Sequence, residues 1–160
     1  MTPNPPPEAV RAEPLTAEAF APFGAVIAPD PARAVAINDG WTDRHHALAA
    51  ADLAGGGAIL SIFRGRPRPL TAVLLERHPH GSQAFVPLGG RPWLTVVAEA
   101  RDGPLRAFLC AGDQGVQIGR GVWHHPLLTL AAQDFLVVDR EDPAANLEEA
   151  ALDPPVPIRL

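Results

Sequence analysis

The chain has 160 residues, enough for one domain with a real core and too few for two ordinary ones. At 47% hydrophobic and 19% charged it reads as a compact fold, and it contains no apolar run of 18 residues that would span a membrane. Thirteen basic residues against 18 acidic ones leave a net charge of −5, and every base is an Arg, which excludes lysine Schiff-base and Walker-type phosphate chemistry and makes a poor nucleic-acid binder.

A proline-rich arm is expected over residues 1–12, the main domain over 13–140, and a short helix with an extended tail over 141–160. The first residues have neither the basic start nor the apolar run of a secretory signal, so a cytoplasmic protein is expected. Thr16 can cap a short helix over Ala17–Ala21, with Glu18 near its positive end, and Pro22 and Gly24 close it. Ala25–Ala28 and Ala34–Ile37 are short strand candidates, the second followed by the turn signal Asn38-Asp39-Gly40. His46–Leu53 fits one or two helical turns before Gly55-Gly56-Gly57.

From Ala58 the pattern is strongly β. Short apolar runs cover Ala58–Phe63, Ala72–Glu76, Gln83–Val86, Trp93–Ala98, Leu105–Ala111, Val116–Ile118, Leu127–Leu130 and Phe135–Val138. Gly, Pro and Asp pairs bound them, and 19 prolines keep the segments short. So many brief strands predict an all-β sandwich or barrel. The acidic, alanine-rich Asp142–Ala151 predicts a surface helix. Phe63, Phe85 and Trp93 read as core, and the lone Cys110 as an inert buried thiol.

The six histidines fall into three pairs: His45-His46, His78-Pro79-His80 and His124-His125. Alternate residues of a strand share a face, so His78 and His80 point the same way. Glu76 joins them if the strand runs straight through Pro79, and Gln83 follows within reach. His124 or His125, but not both, can face the same cavity. Imidazoles with a carboxamide or carboxylate oxygen suit a metal. The same spacing also suits half-buried histidines hydrogen-bonded to their neighbours. His45-His46 reads as a surface pair.

Gly119-Arg120-Gly121-Val122-Trp123-His124 resembles the second cupin motif, and His78-x-His80 with Gln83 and Gly90 resembles the first, Gln83 standing near the place of its glutamate. More specifically, LTAEAFAPFGAVI at 15–27, INDGWTDRHHALA at 37–49, LERHPHGSQAFVPLGG at 75–90, GVWHHPL at 121–127 and DFLVVDR at 134–140 resemble the ureidoglycolate lyase family. That resemblance implies a cupin-like double-stranded β-barrel, paired as a homodimer, that splits ureidoglycolate into glyoxylate and urea during allantoin and purine breakdown. It implies a divalent metal such as nickel, with His78, His80, Gln83 and His124 as the ligand set, and no organic cofactor.

Ureidoglycolate bears a carboxylate, a hydroxyl and a ureido nitrogen on one carbon. Lysis needs a base, an acid and a carboxylate clamp, but no redox centre. His78, His124 and Glu76 are the catalytic candidates, with Glu76 either orienting a histidine or serving as the acid. Gln83, Arg64, Asn38 and Trp123 are the substrate-binding candidates, Arg64 foremost as the clamp. Arg77 should face outward. Nucleic-acid and membrane partners are not expected. The rival readings are another small-molecule metal cupin, an isomerase or dioxygenase, and a non-catalytic cupin that senses a small carboxylate.

Overall fold

The computed structural model describes residues 5–160. Its strands in chain order are β1 (Val10–Pro14), β2 (Gly24–Ile27), β3 (Ala34–Ile37), β4 (Thr42–His45), β5 (Ala58–Gly65), β6 (Thr71–Arg77), β7 (Gln83–Pro87), β8 (Trp93–Ala98), β9 (Leu105–Cys110), β10 (Gly115–Ile118), β11 (Trp123–His124), β12 (Leu128–Thr129), β13 (Gln133–Arg140) and β14 (Glu148–Arg159). Helix α1 (Ala17–Phe20) and 3-10 turns at Pro31–Arg33, Asn38–Gly40 and Pro143–Ala145 complete the chain. Thr16 caps α1 as expected, its hydroxyl accepting from the Ala19 N–H at 3.1 Å. Among the described residues no helix is long and apolar enough to cross a membrane.

Strands β11, β6, β14, β1, β9 and β8 neighbour one another in that order, and β11 returns to pair with β8, closing a ring. β1 runs parallel to both β14 and β9, while the other ladders of the ring are antiparallel. The expected all-β barrel is therefore present, as a closed barrel of mixed strand direction. A second sheet, ordered β2-β10-β7-β13-β5, packs on one side of it.

Every residue of β8 is buried, and for this reason Trp93–Ala98 lacks the apolar–polar alternation of a half-exposed strand. Trp93 and Val97 pack with Phe85, Val116, Phe135 and Val137 of the second sheet. Leu94 and Val96, on the opposite face, meet Ala72, Ala107 and Ile158 from other strands of the ring. The aromatic side chains lock the first cluster edge to face, with Trp93 and Phe135 ring centroids 5.2 Å apart and Phe20 and Phe108 5.4 Å apart. β2 reaches its partner only because Gly24 has no side chain. A Cβ there would lie 1.8 Å from the Gln117 carbonyl oxygen.

Both chain ends depart from expectation. Residues 1–4 of the expected arm lie outside the described residues, but Val10–Pro14 is a ring strand seated between β14 and β9. Asp142–Ala151 is not a helix. After the turn at Pro143–Ala145, Glu148–Ala151 pairs with Leu74–Arg77 and buries Ala150. A ten-residue isolated helix is marginal in water, whereas pairing with β6 satisfies the backbone and covers the ring. The prolines of β14 are accommodated by a register shift between Ala151 and Val156, where Pro154 and Pro155 owe no ladder bonds. His46–Leu53 likewise forms turns rather than a helix, with Ala47 at φ 52°.

Cys110 is fully buried in the first cluster, and burial pushes its thiol well above the usual cysteine range. It should not react with a thiol reagent in the native protein. Titration with a chromogenic disulfide should give no signal until denaturant is added, and then a full equivalent per chain.

Candidate active site

Four side chains from both layers meet where the second sheet abuts the ring. Glu76 lies in β6 and His124 in β11, directly opposite each other across the antiparallel ladder. His78 follows the end of β6, and Gln83 opens β7. The His124 Nε2 is 3.6 Å from a Glu76 carboxylate oxygen. The Gln83 Oε1 lies 3.0 Å from His78 Nε2 and 3.3 Å from His124 Nε2. The two imidazole centroids are 5.3 Å apart.

The outer nitrogens of both rings are committed to backbone carbonyls. His78 Nδ1 donates to Asn146 O at 2.8 Å, and His124 Nδ1 donates to Val122 O at 2.9 Å. These bonds set the tautomers, so in the neutral rings both Nε2 atoms carry lone pairs. Those lone pairs, the Gln83 carbonyl oxygen and the Glu76 carboxylate then converge without a hydrogen between them. A positive charge at the centre resolves the conflict, and the atoms are the oxygen and imidazole donors that suit a divalent cation. One ligand atom from each of Glu76, His78 and His124 lies within 4.8 Å of the others, close enough for small side-chain shifts to bring them around one ion. Burial pushes the Glu76 carboxyl up, but with the rings protonated a hydrogen bond from His124 and the charges of His124, His78 and His125 outweigh it, so the net shift is downward, in the sense a bound cation would also give. Glu76 is thus an anion at neutral pH.

An open cavity of about 410 Å³ lies beside the cluster. Glu76 forms part of its wall with Phe85 and Phe63, and Arg64, Arg66 and Arg68 line its rim. Arg64 is largely committed elsewhere. Its guanidinium binds Asp134 through Nε at 3.0 Å and a second nitrogen at 3.3 Å, on a side chain 74% exposed. Among the described residues no such ion pair engages Arg66 or Arg68.

Several expected site residues lie elsewhere. β6 ends at Arg77 and Pro79 sits in a turn, so strand alternation stops before it can align His80 with His78. His80 is exposed and does not join the ligand group. Trp123 faces away from His124 because neighbours in a strand alternate. It packs with Leu75, Ala98 and Ala150 beneath the Arg77 guanidinium, 4.9 Å from its ring, while Arg77 also holds Glu148 at 2.8 Å. Asn38 is exposed in the β3–β4 turn, where its amide bonds Thr42 at 3.2 Å. Phe63 is a partly exposed rim residue rather than core, in edge-to-face contact with Phe85. Of the adjacent pair, His124 takes the site. His125 is buried, and desolvation holds it below the ordinary histidine range. His45 bonds the Asp30 backbone on the β3–β4 side of the molecule.

The family model for ureidoglycolate lyase matches residues 7–159. The chain belongs to the ureidoglycolate lyase family. It is 57% identical to ureidoglycolate lyase 1 of Rhizobium meliloti (strain 1021), with 88% of each chain covered. It is 53% identical to a ureidoglycolate lyase of Rhizobium etli (strain CIAT 652) over 96% of this chain and 97% of the relative. The corresponding protein of Agrobacterium fabrum is 56% identical over 89% and 90%. Among solved structures, a chain from Bacillus subtilis oxalate decarboxylase, a protein with Mn(II) centres, has a TM-score of 0.39 at 12% identity over 60% of this chain, too distant to bear on the site.

Two residues in contact with this cluster are not among the candidates that the sequence motifs point to. Asn146 is buried and ties down the His78-Pro79-His80 turn, its Oδ1 accepting from the His80 N–H at 2.6 Å. It lay hidden in the segment that composition assigns to a helix. Asp139 accepts from Gln83 Nε2 at 3.2 Å. Its signal was present: in Phe135-x-Val137-x-Asp139 a carboxylate continues the inward face of two buried apolar residues.

Chelated protein titrated with Ni²⁺ in a calorimeter should take up a single ion per chain. Glu76→Gln, His78→Ala and His124→Ala should each abolish or strongly weaken uptake, whereas His80→Ala should bind as the unaltered protein does. Loss of binding on His80→Ala would restore it to the ligand set.

Proposed function

We propose that this protein cleaves ureidoglycolate to glyoxylate and urea in the cytoplasm, as a step of purine-nitrogen recovery. The observation that carries the reading is one cavity, in a chain matching the family over residues 7–159, whose wall holds an anionic Glu76 and whose rim holds Arg66 and Arg68. The two guanidinium groups suit the substrate carboxylate, since each offers a fork of donors. Arg64, tied to Asp134, is left as a rim residue rather than the clamp.

The reaction moves one proton. The hydroxyl O–H is lost, the carbon–oxygen bond becomes double, the carbon–nitrogen bond breaks, and the departing ureido nitrogen is protonated. A single carrier can accept the proton from oxygen and return it to nitrogen. Glu76 suits that role, because it is the member of the cluster that lines the cavity. Its lowered pKa keeps it ready to accept but makes it a weak base, so positive charge near the hydroxyl is needed. Glu76, His78 and His124, with the Gln83 oxygen, would hold a divalent cation such as nickel. When bound, such an ion would polarise the hydroxyl oxygen and lower its pKa. Phe63 and Phe85 would wall the reacting carbon from bulk water.

We further infer that the protein works as a homodimer. Edge strand β5 presents Leu60 and Ile62 at 69% and 57% exposure, and the β3–β4 ribbon carries Trp41 at 90%. Open apolar edges of this kind are normally covered.

Purified protein given ureidoglycolate should release urea and glyoxylate in equal amounts without ammonia, and lose that activity on chelation. Ammonia in place of urea would mean amide hydrolysis instead. Arg68→Ala and Arg66→Ala should raise KM tenfold or more, from loss of charge-assisted bonds worth about 1.5–3 kcal/mol, while Arg64→Ala changes it little. Light scattering coupled to gel filtration should give twice the chain mass, and Leu60→Glu with Ile62→Glu should shift it toward the monomer. A monomeric unaltered protein would sink the dimer reading.

A further inference from the structure

The cluster depends on which way one amide faces. The Gln83 side chain carries an oxygen and an NH2 group of nearly the same shape, and only the oxygen can join two imidazole lone pairs around a cation. Turned over, the NH2 group would donate to a histidine Nε2 and occupy the lone pair that a cation needs. Gln83 is 5% exposed, so water does not decide the matter. The observed orientation puts Oε1 toward both rings and Nε2 toward Asp139 Oδ2 at 3.2 Å.

We propose that Asp139 is a positioning residue for this site: its carboxylate holds the Gln83 NH2 group away from His78 and His124 and so presents the Gln83 oxygen to a divalent cation. A carboxylate only accepts, so the pairing has one sense. A hydrogen bond to an ionised acceptor is about twice as strong as a neutral one, so Asp139 outcompetes a neutral imidazole for the amide hydrogens. The fold supplies the contact. Val138 pairs with Ala84 across the β13–β7 ladder, so Asp139 and Gln83 are the next neighbours along it. The other Asp139 oxygen, Oδ1, is buried without a hydrogen-bond partner, a costly arrangement for a residue that only fills space. Asp139 belongs to the second sheet and the histidines to the ring side, so the pair aligns one layer's contribution with the other's.

This role rests on the cation-binding reading of the cluster. The test is calorimetric titration of the chelated, full-length protein with Ni²⁺, using D139L, D139N, Q83E and the Q83E/D139L double variant. D139L should weaken Ni²⁺ binding by about ten- to a hundredfold, the usual range for a group that orients a ligand. D139N retains an acceptor oxygen and should recover most of the affinity. In the Q83E background both side-chain ends are oxygens and no orientation has to be chosen, so D139L should cause no further loss. Unchanged affinity in D139L, or the same loss in both backgrounds, would overturn the role and leave Asp139 as a packing residue. If the unaltered protein takes up no Ni²⁺, the cation reading fails by itself. The same four variants are then ranked by kcat/KM for ureidoglycolate, where the same order supports amide positioning and equal losses reject it.

Discussion

β11 is two residues long, yet it pairs with β6 on one side and β8 on the other. That double pairing closes the barrel, and the alternation of a strand then leaves no freedom in what its two side chains do. His124 faces Glu76 and the second sheet, and Trp123 faces the satellite core with Leu75 and Ala150. A slip of one residue in this register would exchange them, putting an indole at the chemical centre and an imidazole in the packing. The seam and the Glu76–His78–His124 cluster are therefore the same place in the fold, and conditions that open the ring should also dismantle the cluster.

The electrostatics of that place follow from a shortage of hydrogens. Backbone carbonyls take the outer N–H of each imidazole, and Asp139 takes the amide hydrogens of Gln83. What remains in the middle accepts and does not donate. Buried acceptors facing one another are unfavourable unless a positive charge lies between them, so this arrangement favours a cation at its centre. The same feature suits a reaction in which a hydroxyl must give up its proton to a carboxylate of lowered pKa.

Much of this was legible in the residues. Glycine and proline punctuation marked out most of the strands from Ala58 onward, and before it the Ala34–Ile37 strand and, one residue late, Ala25–Ala28 for β2 at Gly24–Ile27. His78 and Gln83 followed from residue type and spacing, and His124 from the likeness of its motif, since alternation left His125 equally open; the structure brings these three together with Glu76. His80 does not share the face of His78 because the strand ends before Pro79, so alternation does not carry through it. The position of Arg64 in the SIFRGRP run suggests a clamp, but a bidentate partner from a distant part of the sequence, Asp134, takes its charge. The terminal segments were misjudged because local composition describes an isolated chain. Their strands exist only where β6, β9 and each other offer a ladder.

The sequence by itself determined the all-β class, the supply of imidazole and carboxylate groups, and the kinship that covers nearly the whole chain. These depend on residue type and on short spacings, which a linear string carries directly. Only the tertiary structure decided that His80 stays outside the cluster, which rim arginines lack an ion pair among the described residues, and that Asn146 and Asp139 contact His78 and Gln83. Each of those outcomes rests on contacts between strands far apart in the chain, where a neighbour's charge or a carbonyl's direction outweighs anything the local residues express.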